Sequence, residues 1–184
     1  MTTKSASLFF VLSLVLAVPS RATTLIPADL GELSRDARAI VRGRVAALDP
    51  QWTEDRGTIE TIVTLEVERY IKGALAPTLR FRVPGGDLGR FRSIVVGAPE
   101  FAVDERVVVF LGARGPSVPY VLGLSQGVFR VVRAADNSGW FVTSPAMPPA
   151  TGGAVPIVRG DPSRRALALD DFEQRVRTLA EGAK

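Results

Sequence analysis

Residues 40–48 (IVRGRVAAL) and 59–71 (IETIVTLEVERYI) decide the fold, because apolar and polar side chains alternate through both stretches. A period of two places successive side chains on opposite faces of an extended chain. Both stretches are therefore predicted to be long strands, each with one buried and one solvated face. The polar residues Glu54–Gly57 between them predict a chain reversal, so the two strands should form an antiparallel hairpin.

The charges along the two strands predict the register of this hairpin. One alignment gives two ion pairs on the wet face and two apolar pairs on the buried face, namely Arg42–Glu68, Arg44–Glu66, Val45–Leu65 and Ala47–Val63. The same alignment centres the reversal on Asp55. A slip by one residue would oppose each wet side chain to a buried one, so the apolar face fixes the register.

The rest of the chain supplies short strands and two helices. Six segments rich in β-branched or aromatic residues, bounded by Gly, Pro, Asp or Asn, are predicted strands: Leu79–Val83, Ser93–Val96, Arg106–Gly112, Tyr120–Leu122, Val128–Arg133 and Trp140–Thr143. Helical periodicity predicts a short helix from about Pro27 to Ala39 and a C-terminal helix over residues 169–181. Residues 144–165, rich in Pro and Gly, are expected to form an irregular wrap over the surface.

This order of elements predicts a mainly β domain. Short antiparallel strands with a helix at each end are typical of a small β-barrel, and a long first strand that carries Gly43 favours an OB-like barrel. A two-sheet β-sandwich is the alternative.

The residues around the first strand resemble a family of uncharacterised secreted bacterial proteins. The shared pattern is L-x-x-L-x-x-x-A-x-x-I-V-x-G-x-V after a signal peptide, carried here by Leu30, Leu33, Ala37, Ile40, Val41, Gly43 and Val45. The likeness continues through Trp52, Lys72-Gly73, Pro84-Gly85-Gly86, Gly97-Ala98-Pro99 and Phe101. The resemblance implies an exported β-rich domain and no catalytic residue.

The N-terminus carries the features of a secretory signal peptide. Lys4 precedes the apolar run of residues 6–18, and Ser20 and Ala22 supply small residues before the expected cut. The run is too short to be a transmembrane helix, which needs about 20 apolar residues. Residues 1–22 are therefore predicted to be removed, leaving residues 23–184 as one exported domain.

Composition excludes several kinds of chemistry. The chain has no His and no Cys, so a Ser-His-Asp triad, a His metal ligand and a thiolate nucleophile are all ruled out. No metal and no cofactor are expected. A Ser-Lys dyad would have to use Lys72, with Ser93 as the nearest serine in sequence. Paired carboxylates could serve a hydrolase, and the candidates are Glu66, Glu68, Glu100, Asp104 and Glu105.

The predicted binding site joins cations, aromatic residues and a flexible loop. Its members occur close together in sequence: Arg80, Arg82, Gly85, Gly86, Arg90 and Arg92. Arginines interleaved with phenylalanine can bind a polymer on a sheet face. The loop beginning at Pro84 lacks the lysine and the following helix of a phosphate-binding P-loop, so it is predicted to be a turn.

These patterns predict an exported, non-enzymatic binding or interaction module with no catalytic residue. Its expected partner is an exported protein or an anionic polysaccharide, and nucleic acid is not expected because the protein is exported. The alternatives are a hydrolase that uses acidic residues and an accessory or inhibitor of an exported enzyme.

Overall fold

A computed structural model describes residues 28–115, 118–134, 137, 139–143 and 166–182. The predicted signal peptide (1–22) and the predicted wrap (144–165) lie outside these ranges. The described elements, in chain order, are α1 (Leu30–Asp36), β1 (Ala39–Trp52), β2 (Ile59–Lys72), β3 (Thr78–Pro84), β4 (Gly86–Leu88), β5 (Phe91–Ser93), β6 (Arg106–Gly112), β7 (Tyr120–Val121), a 3₁₀ turn (Leu124–Gly127), β8 (Val128–Arg133), β9 (Trp140–Thr143), β10 (Leu167–Ala168) and α2 (Leu169–Glu181).

Five strands close into a barrel, as the OB-like prediction required. β1 pairs with β2 and β2 with β3, both antiparallel. β3 then meets β7 in parallel, β7 pairs with β6, and β6 returns to β1. Because the first and last strands of this ring are hydrogen-bonded to each other, the domain is a barrel and not a two-sheet sandwich.

The alternation of side chains on β6 separates two hydrophobic cores. Val107, Val109 and Leu111 point into the barrel, whereas Val108 and Phe110 point outward. The outward side chains are covered by α1, by α2 and by β8 and β9, which extend the sheet from β6. These five side chains are therefore all fully buried, which explains why residues 107–111 of β6 form a continuous apolar run.

The predicted register of the first hairpin is correct at its centre and wrong at its ends. Arg44 lies opposite Glu66 and the buried Val45 opposite Leu65, as expected. Register shifts occur on both sides of this centre, so Ala47 lies opposite Thr64 and Arg42 opposite Arg69. A β-bulge adds one unpaired residue to a strand, and the alternation of apolar and polar residues in the sequence does not show where this residue lies.

The predicted ion pairs and the predicted turn of this hairpin are present in spite of the register shifts. Arg42 still reaches Glu68, with Nε 3.2 Å from Oε2. The chain reverses between Thr53 and Thr58, whose backbone groups are hydrogen-bonded at 3.0 Å, so the predicted centre at Asp55 is confirmed.

Two other predicted elements need correction. The N-terminal helix is shorter than expected, because Asp29 caps its start and the chain is extended at Ala37. The predicted strand Ser93–Val96 is wrong, since β5 ends at Ser93 and pairs with β4 in a small separate hairpin. The C-terminal helix occupies residues 169–181 as predicted, with Phe172 and Val176 buried.

A buried carboxylate fixes the C-terminal helix to the barrel. Glu173 of α2 has a side chain that is only 3% exposed, and its Oε1 accepts a hydrogen bond from Arg42 Nη1 at 2.6 Å. Arg69 Nη1 lies 3.2 Å from the other oxygen. Two cations from the barrel wall therefore compensate the one buried acid of the helix.

The turn at Asp55 gives a pH-dependent prediction. The Thr53 hydroxyl, at 2.6 Å, and the Gly57 N–H, at 3.1 Å, donate to the Asp55 carboxylate and hold its pKa below the usual range. A lowered pKa in the folded state adds stability above the unfolded pKa, and this stability is lost as the pH falls through the folded value. We expect Thr53→Ala to raise the pKa of Asp55, as followed by NMR of its carboxyl carbon. Thr64→Ala, on the outer face of β2, should leave that pKa unchanged.

Candidate binding groove

One end of the barrel opens into a groove, because β1 continues beyond its partner β6. The β1–β6 pairing stops at Arg44 and Arg106, whereas β1 runs on to Trp52. Leu48 and Pro50 of β1, Thr61 of β2 and Val83 of β3 form one wall of the opening. The groove has a volume of about 640 Å³ and extends the apolar interior of the barrel toward solvent.

The β4–β5 hairpin forms part of the opposite wall and is held by four contacts. Gly85 N–H donates to Ile59 O at 2.8 Å, and the Thr61 hydroxyl donates to Gly85 O at 2.8 Å. At the far end the hydroxyls of Thr58 and Ser93 lie 2.8 Å apart, and the rings of Trp52 and Phe91 meet edge-on at 5.4 Å. The Gly85 amide is therefore already occupied, which favours the predicted turn over a phosphate cradle.

Positive backbone φ angles explain why two consecutive glycines begin this hairpin. Gly85 has φ +91° and Gly86 has φ +143°, conformations that residues with a side chain rarely adopt. A Cβ on Gly85 would lie 2.9 Å from Ser93 O. The loop thus needs glycine for its shape, and both glycines line the groove.

The loop of residues 94–101 completes the wall. Ala98 N–H bonds Val95 O at 3.0 Å within the loop, and Ser125 N–H of the 3₁₀ turn bonds Gly97 O at 2.9 Å. Phe101 then packs edge-on against Phe81 of the barrel core, with ring centroids 5.6 Å apart. The loop is therefore fixed by contacts at its middle and at its end.

Four large apolar side chains are exposed on the β4–β5 hairpin, the loop after it and the end of β1, and Ile94 among them lines the groove. Trp52 is 40% exposed, Phe91 46%, Ile94 76% and Val96 74%. We call these four residues the apolar rim. Exposed apolar groups are common when scattered singly, but here three of the four fall within six consecutive residues beside an open groove, as interaction surfaces often do.

The predicted binding residues fall on two surfaces. Gly85, Gly86 and Arg92 line the groove. Arg90 lies over the ring of Phe91, with its guanidinium carbon 5.0 Å from the centroid.

Arg80 and Arg82 lie on the other side of the sheet. They alternate along β3 with Leu79, Phe81 and Val83, which are buried in the barrel core, so the two arginines face outward. The predicted binding residues are therefore divided between the groove and the outer face of the sheet. That any of them binds a ligand stays a prediction.

The candidate acids for a hydrolase are mostly engaged by arginines. Glu66 and Asp104 both pair with Arg44, and the hydrogen bonds that the guanidinium donates to these two acids, chiefly to Glu66, raise the pKa of Arg44.

Two more candidate acids are engaged in the same way. Glu68 pairs with Arg106 at 2.8 Å as well as with Arg42. Glu105 pairs with Arg130, whose pKa is lowered by burial. Glu100 lines the groove and also interacts electrostatically with Arg130, whose Nη2 donates to the Glu100 carbonyl at 2.7 Å.

The candidate Ser-Lys pair has structural roles. Lys72 Nζ donates to the carbonyls of Ser34 and Arg35 at 2.9 and 2.8 Å, at the C-terminal end of α1. A cation is favourable there because the last carbonyls of a helix carry partial negative charge. Ser93 is engaged with Thr58 instead, so the two groups serve different parts of the fold.

Two kinds of feature are absent from the described ranges. Within them, no group of three or more acidic side chains is placed to hold a metal ion. None of the helices described there has the length and apolar character to cross a membrane.

The sequence did not point to Ile94 and Val96 as site residues. Their β-branched side chains favoured a buried strand, whereas the structure exposes both on a loop. The adjacent Gly97-Ala98-Pro99 was the available signal, since such a turn can end a strand early.

Comparison of the chain with protein-family models, with curated proteins and with solved structures gives no significant match.

Proposed function

We propose that the protein is an exported, non-enzymatic binding module that receives its ligand in the groove at the open end of the barrel. The observation that carries this proposal is the continuity between the barrel's apolar interior, the groove and the apolar rim. Concave, mostly apolar sites with a few polar groups are the usual form of a binding pocket.

The ion pairs favour binding over the alternative hydrolase. A glycosidase needs two carboxylates on either side of one bond, with one of them able to act as an acid. Asp87 and Glu100 are the acids that line the groove, and Asp87 is paired with Arg92 at 3.3 Å. An accessory or inhibitory role would use the same groove, with the exported enzyme as the ligand.

The outer face of β3 is the second candidate surface, and variants can separate it from the groove. Ala98→Trp would place an indole in the groove, whereas Arg80→Ser with Arg82→Ser would remove two outward-facing cations from the outer face. The processed protein and both variants are immobilised and exposed to exported proteins and polysaccharides of the same source. We expect a ligand that is kept by the double arginine variant and lost by Ala98→Trp, and the reverse pattern would assign binding to the outer face.

Export itself has a direct test. We expect processing after Ala22, so mass spectrometry of the protein from the exported fraction should find Thr23 at the N-terminus. An intact Met1 in the membrane fraction would contradict both the cleavage and the export. Replacing Ala22 by a bulky residue should block processing and serves as the control.

A further inference from the structure

We infer that the ligand of this groove is a polypeptide segment that inserts an apolar side chain between neutral or basic neighbours. This inference rests on the proposed function and names the class of ligand that the groove would select. It chooses a protein partner over an anionic polysaccharide.

The charge of the groove disfavours an anionic polymer. Its charged lining residues are Asp87, Arg92 and Glu100, so carboxylates outnumber guanidiniums by one. The Arg92 guanidinium is already compensated by Asp87, at 3.3 Å. The arginines that suggested an anionic partner are placed elsewhere, because Arg80 and Arg82 face outward on β3. Glu100 interacts electrostatically with Arg130, which does not line the groove. A polyanion entering the groove would therefore meet two carboxylates of the lining and one guanidinium that Asp87 already compensates.

The apolar rim favours side chains of a protein. Ile94 and Val96 are branched aliphatic residues, and they are the two most exposed of the four rim residues. Sugar rings stack on flat aromatic faces, whereas aliphatic side chains gain contact area against other apolar side chains. Trp52 and Phe91 are packed edge-on against each other, so their two rings do not form one flat aromatic surface on which a sugar could stack.

The groove has the size for one anchoring residue and its neighbours. Its volume of about 640 Å³ lies within the usual range of roughly 300–1,000 Å³ for a small-molecule site. Leu48, Pro50, Val83 and Phe101 surround it with apolar surface. A single large apolar side chain would occupy part of this space, and the remainder can take the neighbouring residues of the segment near Glu100.

The test uses labelled peptides and a labelled sugar acid oligomer as probes. Three fluorescent peptides share a central Leu and differ in their flanking residues, which are Lys, Ser or Glu. A fourth peptide has a central Ser between Lys residues, and the fifth probe is an oligomer of galacturonic acid. Fluorescence polarisation against the processed protein measures each affinity, and Ala98→Trp establishes which binding occurs in the groove.

We expect the Lys-flanked Leu peptide to bind most tightly and the Glu-flanked one least, with the central-Ser peptide and the sugar acid oligomer unbound. Replacing Glu100 by Gln should reduce the preference for Lys over Glu by about two- to fivefold, the effect of one partly exposed charge pair. Glu60→Gln is the matched control, because Glu60 lies on β2 outside the groove and bonds Gln51.

The other outcomes overturn the inference in distinguishable ways. If the galacturonic acid oligomer binds and Ala98→Trp abolishes that binding, the groove is a binding site and the inferred ligand class is wrong. If no probe binds, or if Glu-flanked peptides bind best, the inference also fails, while the proposed function is still decided by the capture of the natural ligand.

Discussion

Gly43→Ala is expected to lower the free energy of unfolding by about 3 kcal/mol, the upper part of the usual range for overpacking a core. Gly43 lies in β1 beside a register shift, opposite Val67 of β2 and Val107 of β6. A Cβ there would lie 2.8 Å from Leu65 Cγ and would also collide with the Glu66 carbonyl oxygen. The methyl group cannot be accommodated without moving the β2 backbone, because β6 pairs on the other side.

The measurement is urea or thermal unfolding followed by circular dichroism. For a domain of this size each kcal/mol shifts the midpoint by roughly 2–4 °C, so we expect a decrease of about 6–12 °C. Gly139→Ala is the matched control, because a Cβ on Gly139 has no heavy atom within 4 Å. Equal stability of the two variants would contradict the close approach of β1 and β2 at Gly43.

Glu173→Ala is expected to cost about 3 kcal/mol of stability, the lower end of the range for breaking a buried ion pair. The side chain of Glu173 is 3% exposed and that of Arg42 19%, so removing the acid leaves Arg42 with less compensation in a poorly solvated position. Glu68 continues to neutralise Arg42 in part, at 3.2 Å, which is why the lower end is expected.

Two further variants separate charge from packing. Glu181→Ala, at the exposed end of the same helix, should change stability by less than about 0.5 kcal/mol. Replacing both partners, with Arg42→Met and Glu173→Leu, should recover part of the loss, because an apolar pair of similar volume removes both desolvation costs. A single Glu173→Ala variant as stable as the parent would show that the helix does not depend on this contact.

Most strands could be predicted from their residue types and from the turn residues between them. Features that depend on contacts between strands could not be predicted. β6, β8 and β9 have the predicted bounds because they are rich in β-branched or aromatic residues and are bounded by turn residues, and α2 has them because its apolar residues recur at helical spacing. The bulge at Val45 and Ala47 could not be predicted, since an unpaired residue in one strand is defined only by its partner.

The candidate site was predicted in part. The Gly85-Gly86 loop and Arg92 were found from their residue types, and both line the groove. The alternation of Arg80 and Arg82 with Leu79 and Phe81 already implied an outward orientation. The alternation could not show that the groove opens on the inner side of the same sheet. The position of the groove depends on where β6 stops pairing with β1.

The most direct test of the binding groove is NMR chemical-shift mapping of the processed protein with its captured ligand. We predict that the largest amide shifts occur at Gly85, Gly86 and residues 93–98, and that the side-chain indole signal of Trp52 moves with them. Amides of residues 78–80 in β3 and along α2 should change little. Shifts concentrated on the outer face of β2 and β3, with the groove residues unchanged, would contradict the account.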